Sequence, residues 1–394
     1  MNRNNILRGN VLWLSVVSFL NDVASEMIYP LLPYFLTQTL RASAAFLGVV
    51  EGIAETTASL LKLFSGWFSD RIGRRKPLVF WGYGIAGVAR PMIALATAPW
   101  QVLAIRFSDR VGKGIRTAPR DALLAASVEP ALRGRAYGLH RAADHAGAVI
   151  GPLIAMGLLL LLPDRYRVVF ALAAVPAILS VILLAVLVKE EGPRKPVVKG
   201  ETFEGFRDLG SRFYGYLLIV LVFTLGNATD AFLLLRAQEL GVTLAILPLL
   251  WAVLHVSKML WNLAGGTFAD RFGPRAAIVS GWAVYAATYA GFAYSSEAWQ
   301  AWVLFIIYGV FFGLTEAPQK VLVAAVAPDR RRGAAFGAYH FSVGIAALPA
   351  SVLFGVIWDR FGPRNAFLFG ASLAIAAAVA LALLNPVQHF DETE

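Results

Sequence analysis

The chain contains no cysteine and few charged residues, and these two shortages exclude several kinds of protein. Without cysteine it can form no disulfide, no thiolate metal site and no cysteine nucleophile. Charged residues make up 15% of the 394 residues, whereas 58% are apolar and the mean hydropathy is +0.64. A water-soluble protein of this length needs a more polar surface. The composition therefore predicts a membrane protein and argues against a soluble enzyme.

Apolar runs that are long enough to cross a bilayer recur from Val11 to Leu384. A transmembrane helix needs about 20 such residues, whereas a membrane β-barrel would show short alternating segments. The runs predict an all-α membrane protein with twelve transmembrane helices, at residues 11–36, 45–69, 77–97, 100–127, 135–161, 166–188, 214–238, 244–268, 276–295, 299–326, 333–357 and 365–384.

A polar stretch separates the first six predicted helices from the last six. Residues 189–213 contain several lysines, arginines and glutamates and are too polar to span a membrane. We therefore predict an N-terminal bundle at 1–188, a cytoplasmic linker at 189–213, and a C-terminal bundle with a short cytoplasmic tail at 214–394. The first helix should be retained, because its apolar run is longer than the core of a signal peptide and lacks a small-residue cleavage site.

The net charge of +10 comes mainly from loops on one side of the predicted bilayer. That side carries Arg71, Arg74, Arg75, Lys76, Arg133, Arg135, the linker cations, Arg271, Arg275, Arg330, Arg331 and Arg332. The positive-inside rule places these loops and both termini in the cytoplasm, in a bacterial-type inner membrane. The excess of positive charge thus reflects topology, and no nucleic-acid partner is expected.

Internal repeats indicate that the two sets of six helices are related. The run from Gly66 to Arg75 recurs 200 residues later as the run from Gly266 to Arg275, and both follow the second helix of a set. Gly114, Pro119, Arg133, Gly134 and Gly138 have counterparts in Gly313, Pro318, Arg332, Gly333 and Gly337. Related halves predict two pseudo-symmetric bundles with a site between them.

The repeated loop resembles the loop motif of the major facilitator superfamily. Its residues here are Gly66, Asp70, Arg71, Gly73, Arg74 and Arg75, with a weaker copy that includes Asp270 and Arg271. The resemblance implies two bundles that enclose a central cavity and open it alternately to each side. The loop can act as a cytoplasmic gate, in which Asp70 bonds to the other bundle in one state, or simply as a basic loop that sets topology.

A second resemblance concerns the fifth predicted helix. Gly138, Gly147, Gly151 and Pro152 match the glycine motif of the drug:proton antiporter branch, although its final glycine pair is Ala155-Met156 here. This resemblance implies export in exchange for protons. Close helix packing explains the same glycines equally well.

Many charged residues fall inside the predicted helices, where each needs a partner, a water-filled cavity or a function. The fourth helix carries charges every three or four residues, which places them along one side. Our candidates for the substrate cavity are Tyr29, Arg106, Arg110, Lys113, Arg116, Arg120, Asn227, Asp230, Trp251, His255, Lys258, Glu316 and His340.

The candidates for proton coupling are Asp22, Glu26, Glu51, Glu55, His140 and Asp144. Burial favours the neutral form of a carboxyl group, and an approaching arginine favours the charged form, so helix movement can load and release a proton. The alternative is a static network in which Asp22 or Glu26 pairs with an arginine of the fourth helix. No matched ligand cluster indicates a metal site.

The sequence therefore predicts a secondary active transporter that exports a small organic or amphipathic solute by proton antiport. The alternative is proton symport or facilitated uptake of an organic anion through the same fold. We expect no cofactor and no covalent chemistry; the proton gradient would supply the energy. The partners would be the solute, protons and the lipid bilayer, and the protein is expected to act as a monomer.

Overall fold

The structure is a computed structural model that describes residues 9–72, 74–129, 132–190, 209–327 and 332–384. The described part of the chain consists of helices joined by short connections, and it contains no β-strand. Its long helical segments, numbered α1 to α12, are Asn10–Thr39, Ala44–Ile72, Lys76–Leu95, Pro99–Ala126, Arg133–Leu161, Tyr166–Leu187, Ser211–Glu239, Leu247–Phe272, Pro274–Tyr294, Ala298–Val326, Arg332–Phe361 and Pro363–Leu383.

Eleven helices of the described residues are long and apolar enough to cross a membrane. The remaining long segment, α4, has 28 residues, which is sufficient length, but it carries too many charges to meet the apolar criterion. Its charged side chains face the protein: Arg106, Asp109 and Arg116 are buried, whereas Phe107 on the other side is exposed. A helix with its charges turned inward and its apolar side outward suits a lipid environment. The predicted all-helical membrane fold is confirmed.

Most predicted helix boundaries agree with the structure within a few residues, and the largest difference lies in α7. We predicted one helix at 214–238, but the structure has two pieces, Ser211–Gly226 and Ala231–Glu239. The interruption contains Asn227, Thr229 and Asp230, residue types whose side chains compete with the backbone for hydrogen bonds and favour turns. The segment α1 also departs from a regular helix, since short 3₁₀ and π turns carry it from Tyr29 to Thr39.

The helices run alternately between two ends of the molecule. The described residues of the connections at 74–75, 127–129, 188–190, 209–210 and 327 lie at one end, which we call the basic end. The connections at 40–43, 96–98, 162–165, 240–246 and 295–297 lie at the other, which we call the far end. Contacts near the helix ends support this assignment: Arg75 Nη1 donates to the carbonyl of Ala122 near the end of α4 over 3.1 Å, and Arg167 Nη1 at the start of α6 donates to that of Ala94 at the end of α3 over 2.6 Å.

Two helix pairs make the most extensive contacts between the part of the chain before residue 191 and the part after residue 208. The segment α2 packs along α11, and α5 packs along α8. Thr56 on α2 donates a 2.7 Å hydrogen bond to the carbonyl of Gly344 on α11. The later part is rich in buried aromatic residues, including a stacked pair of Phe223 and Trp282 with ring centroids 4.6 Å apart. The earlier part instead buries charged residues, among them Glu51, Arg106 and Asp109.

Candidate functional site

A buried ion-pair network lies at the centre of the part before residue 191. Arg106 on α4 binds Glu51 on α2 through two hydrogen bonds of 2.9 and 2.8 Å. Asp109 pairs with Arg90 on α3 over 2.8 Å and with Arg106 over 3.4 Å. All four side chains are at most 5% exposed. Paired and desolvated charges of this kind stabilise the arrangement of α2, α3 and α4 as long as each keeps its partner.

The segment α1 joins this network through Asn21. Arg90 Nη1 donates to the Asn21 backbone carbonyl over 2.9 Å and to its side-chain oxygen over 2.8 Å. The amide nitrogen of Asn21 in turn donates to Asp22 Oδ1 over 2.9 Å. Sequence reasoning missed Asn21, since an uncharged side chain in an apolar run gives no signal of its partner.

The acids of α1 do not form the static ion pairs considered as an alternative from the sequence. Among the described residues, Arg106 pairs with Glu51 and Asp109, and Arg90 pairs with Asp109. In the same residues, no Lys or Arg lies within 4.0 Å of Asp22 or Glu26. Which acid pairs with which arginine depends on how each helix is rotated about its axis. The spacing of residues along one helix does not determine this rotation.

Glu26 forms a contact between the two parts of the molecule. Its Oε2 accepts a 2.8 Å hydrogen bond from Nε1 of Trp251 on α8, and Nε2 of His255 lies 4.0 Å away. The Glu26 side chain is 20% exposed, so a water molecule or a small ligand can reach it. The Tyr29 and Trp251 rings lie 5.0 Å apart, and the Tyr29 hydroxyl is 3.3 Å from that of Thr229.

A second polar cluster surrounds the interruption of α7. Asp230 accepts a 2.8 Å hydrogen bond from the Tyr308 hydroxyl and lies 3.4 Å from Lys258 Nζ. Lys258 Nζ also lies 3.5 Å from the centroid of the Phe312 ring, a cation–π distance. The interruption therefore brings a carboxylate, an ammonium group and aromatic rings together on α7, α8 and α10. Asn227 also lies in the interruption, partly buried.

The remaining cations of α4 extend from this centre toward the basic end. Arg110 Nε lies 3.8 Å from Asp109, and Arg120 donates to Ser18 on α1 over 3.1 Å and to Asp121 over 2.9 Å. Arg116 packs over the Tyr83 ring at 4.5 Å, and its Nη1 is buried with no hydrogen-bond partner. Within the described residues, Lys113 has no ion pair within 4.0 Å, and it interacts electrostatically with Glu55 and Asp22.

The histidines lie in different surroundings. His140 on α5 is buried, and its Nε2 lies 3.8 Å from Asp144, a distance too long for a hydrogen bond. His340 on α11 is exposed and interacts electrostatically with Lys62 and Lys320. The structure does not bring His140 or His340 to Glu26; His255 is the histidine that lies beside it.

Several exposed charged side chains from both parts of the chain lie between the ion-pair network and the basic end, and Lys62 interacts electrostatically with both Arg141 and Lys320. The exposed charged residues of this region are Glu55, Lys62, Arg141, Glu316 and Lys320. Charged groups at this depth need water, so we interpret them as the walls of a water-filled cavity. On the side of the far end, Tyr29 contacts Thr229 and Glu26 contacts Trp251, and we interpret these contacts as the closure of the cavity toward that end.

Comparison with known proteins agrees with this architecture. A family model of the major facilitator superfamily matches residues 14–351. An uncharacterized MFS-type transporter of Methanocaldococcus jannaschii is 31% identical over 382 residues, which cover 95% of this chain and 94% of that protein. The chain belongs to the major facilitator superfamily.

Two further similarities concern one relative and one solved structure. The multidrug resistance protein MdtH of Photorhabdus laumondii is 32% identical over 133 residues, 34% of this chain and 33% of that protein. A variant of the nucleoside transporter NupG has the same fold, with a TM-score of 0.80 at 15% identity over 96% of this chain and 100% of that one. As a member of the major facilitator superfamily, the chain is a transporter and not an enzyme.

The loop motif that resembles that of the superfamily lies at the basic end of α2. Arg71 and Arg74 are exposed, and the backbone N–H groups of Arg75 and Lys76 donate to Glu190 over 3.1 and 2.9 Å. In the second copy, Asp270 and Arg271 are exposed at the end of α8. Gly73 and the side chain of Asp70 lie outside the described residues, so the predicted contact of Asp70 with the other bundle stays a prediction. Gly66 lies opposite the side chain of Ala118 on α4.

The glycine motif of α5 divides into two parts. A Cβ atom added to Gly147 would lie 2.6 Å from the carbonyl oxygen of Phe19 on α1, and one added to Gly151 would lie 2.6 Å from that of Val23. Pro152 is buried beside them. A Cβ atom at Gly138 would meet no atom of the described residues within 4 Å. Two glycines thus allow α5 to approach α1, the helix that carries Asp22 and Glu26, whereas Gly138 has no such packing role in this conformation.

Proposed function

We propose that the protein exports a small organic or amphipathic solute in exchange for protons, by alternating access of the central cavity. The observation that carries this proposal is the position of the Glu26 carboxylate. Its carboxylate bridges the two parts of the molecule, accepts a hydrogen bond from Trp251 and remains 20% exposed. Glu51 and Asp109, by contrast, are held by arginines and closed to solvent.

The surroundings of Glu26 suit a solute with an aromatic or cationic group. Trp251 donates to the carboxylate through its indole N–H, the Tyr29 ring lies 5.0 Å from the Trp251 ring, and Lys258 lies over Phe312 on the neighbouring turns of α8 and α10. A carboxylate that either holds a proton or forms an ion pair with a cationic group of the solute makes the two ligands compete, because protonation removes the negative charge. Mutual exclusion of two ligands at one site is the coupling that exchange requires.

The similarity to MdtH supports export, because that relative is a multidrug resistance protein by name and matches a third of the chain. The cations of the basic end support an orientation with this end and both termini in the cytoplasm, since inner-membrane proteins retain positive loops there. We further propose that the segments at 1–188 and 214–394 move as two bundles about the linker at 189–213, and that one chain suffices for transport.

Transport in proteoliposomes tests the role of Glu26. Vesicles with an acidic lumen, pyranine inside and ethidium outside should take up ethidium while the lumen becomes alkaline. Glu26→Gln should abolish both signals, because the amide cannot release a proton. Glu129→Gln, which neutralises an exposed acid at the basic end, should retain both. Ethidium-driven proton movement at the parental rate in Glu26→Gln would refute the assignment.

Uptake of an organic anion is the second candidate, and Arg116 favours it. Its buried Nη1 has no hydrogen-bond partner, and Lys113 beside it has no ion pair within the described residues. Two such cations next to a cavity can bind a carboxylate. The same vesicles separate the two candidate functions. Uptake of radiolabelled succinate driven by a lower pH outside than inside, together with no response to ethidium, would favour anion uptake over export.

A further inference from the structure

The far end of the molecule contains a contact in which one part of the chain caps a helix of the other. Asp359, in the last turn of α11, accepts hydrogen bonds from the backbone N–H groups of Ala44 and Ala45 over 2.9 and 2.8 Å. These two groups begin α2, where the first N–H groups of a helix have no partner within the helix. A carboxylate there is also favoured by the positive end of the helix dipole.

The position of Asp359 is unfavourable for its own helix, which indicates that its role lies in the contact. The last turn of a helix favours cations, because unpaired carbonyl groups make it negative. Asp359 places a negative charge in the last turn of α11, at the same level as the start of α2. The stabilising interaction of this carboxylate is therefore with α2.

The surrounding sequence is a third copy of the loop motif. Gly355, Asp359, Arg360, Gly362 and Arg364 repeat the spacing found in the run from Gly266 to Arg275. The two turns also have the same backbone geometry: Gly273 has φ 85° and ψ 155°, and Gly362 has φ 84° and ψ 164°, a region open only to glycine. The two earlier copies lie at the basic end, whereas this one lies at the far end.

The first glycine of the third copy lets the two helices come close enough for the contact. A Cβ atom at Gly355 would lie 2.5 Å from the carbonyl oxygen of Ala44 and 2.7 Å from Cα of Ala45. Any larger residue would push α11 away from α2 and lengthen the hydrogen bonds of Asp359. Gly355 and Asp359 thus act on the same two residues.

The connection after α5 is the equivalent position in the part before residue 191, and its described residues make no contact of this kind. Asp164 and Arg165 follow α5 as Asp359 and Arg360 end α11. In the part of the chain that the structure describes, the side chain of Asp164 is exposed and accepts no hydrogen bond. The far-end contact is therefore specific to α2 and α11 and does not follow from an acid at this level alone.

We propose that Asp359 is a latch that stabilises the state in which the far end is closed. The latch rests on the alternating movement of two bundles proposed above, in which opening this end separates α2 from α11. The first N–H groups of α2 then lose the carboxylate. The latch acts on the equilibrium between the two ends of the cavity, whatever solute is carried and whether or not protons drive transport.

Distances between spin labels in the full-length protein test the latch, and the absence of native cysteine makes labelling specific. Gln38→Cys with Thr243→Cys reports on the far end, and Ile72→Cys with Phe272→Cys reports on the basic end. In Asp359→Asn, the ratio of far-end-open to far-end-closed molecules should rise roughly five-fold, the lower range of a coupling between sites. The basic-end distance should shorten in the same proportion of molecules.

Two further variants complete the test. Asp164→Asn removes one charge from the same end and tolerates the positive φ of this residue, so it should leave both distance distributions at the parental values. Ala44→Pro removes one donor, while proline remains compatible with the first position of a helix, and it should open the far end as Asp359→Asn does. If Asp359→Asn fails to fold, Ala44→Pro still tests the latch. Parental distances in the folded variants would overturn the latch.

Discussion

At the scale of single residues, the charges inside the bilayer divide into buried pairs and cavity-facing groups. The spacing along α4 predicted that its charges share one side of the helix, and the burial of Arg106 and Arg116 confirms it. The choice of partners was beyond the sequence. Glu51 and Arg106 are 55 positions apart, and their contact depends on the depth and rotation of two helices.

Glu51 was a candidate for proton coupling, but its surroundings predict a structural effect. Glu51→Gln removes the charge that compensates buried Arg106, and leaving one partner of a buried pair alone costs about 3–5 kcal/mol. We expect a clearly lower unfolding temperature in detergent than for the parent. Glu129→Gln, at an exposed position, should unfold at the parental temperature. If Glu51→Gln keeps parental stability and loses proton movement, Glu51 belongs to the coupling mechanism.

At the scale of helices, the apolar runs predicted where most segments lie but did not reveal the interruption of α7. The interruption is a four-residue turn between two apolar helix pieces. Its composition, with Asn227, Thr229 and Asp230, was the feature of the sequence that indicated a turn. The glycine motif of α5 was recognised as a unit, whereas packing separates its members. Which glycine faces another helix depends on the neighbour, and a motif in one helix does not contain that information.

The two kinds of glycine in α5 predict opposite results for the same substitution. Gly147→Ala forces a methyl group to within 2.6 Å of the Phe19 carbonyl, and such overpacking costs about 1–3 kcal/mol. Gly138→Ala has open space and should leave stability unchanged or raise it by up to about 1 kcal/mol, since alanine favours helix. Thermal unfolding of both variants in one detergent measures the difference. Equal unfolding temperatures would show that α5 does not pack on α1 as described.

At the scale of the whole molecule, the repeat at an offset of 200 residues was enough to predict the fold, because related halves leave few arrangements of twelve helices. The conformation could not be predicted in this way. Both ends have loop motifs of one type, and the sequence does not tell which end is closed. The structure closes the far end through contacts among Tyr29, Thr229, Trp251 and Glu26.

Labelling of single cysteines tests both the proposed topology and the open end. With the basic end in the cytoplasm, a membrane-impermeant maleimide should modify Arg364→Cys in intact cells and Arg74→Cys only in inverted vesicles, since both side chains are exposed at opposite ends. Glu316→Cys lies on the cavity wall and should follow Arg74→Cys, because the cavity opens toward the basic end. Labelling of Arg74→Cys in intact cells would invert the topology. Labelling of Glu316→Cys from the side of Arg364→Cys would instead show that the far end is the open one, and the contacts of Glu26 and Tyr29 would then belong to a minor state.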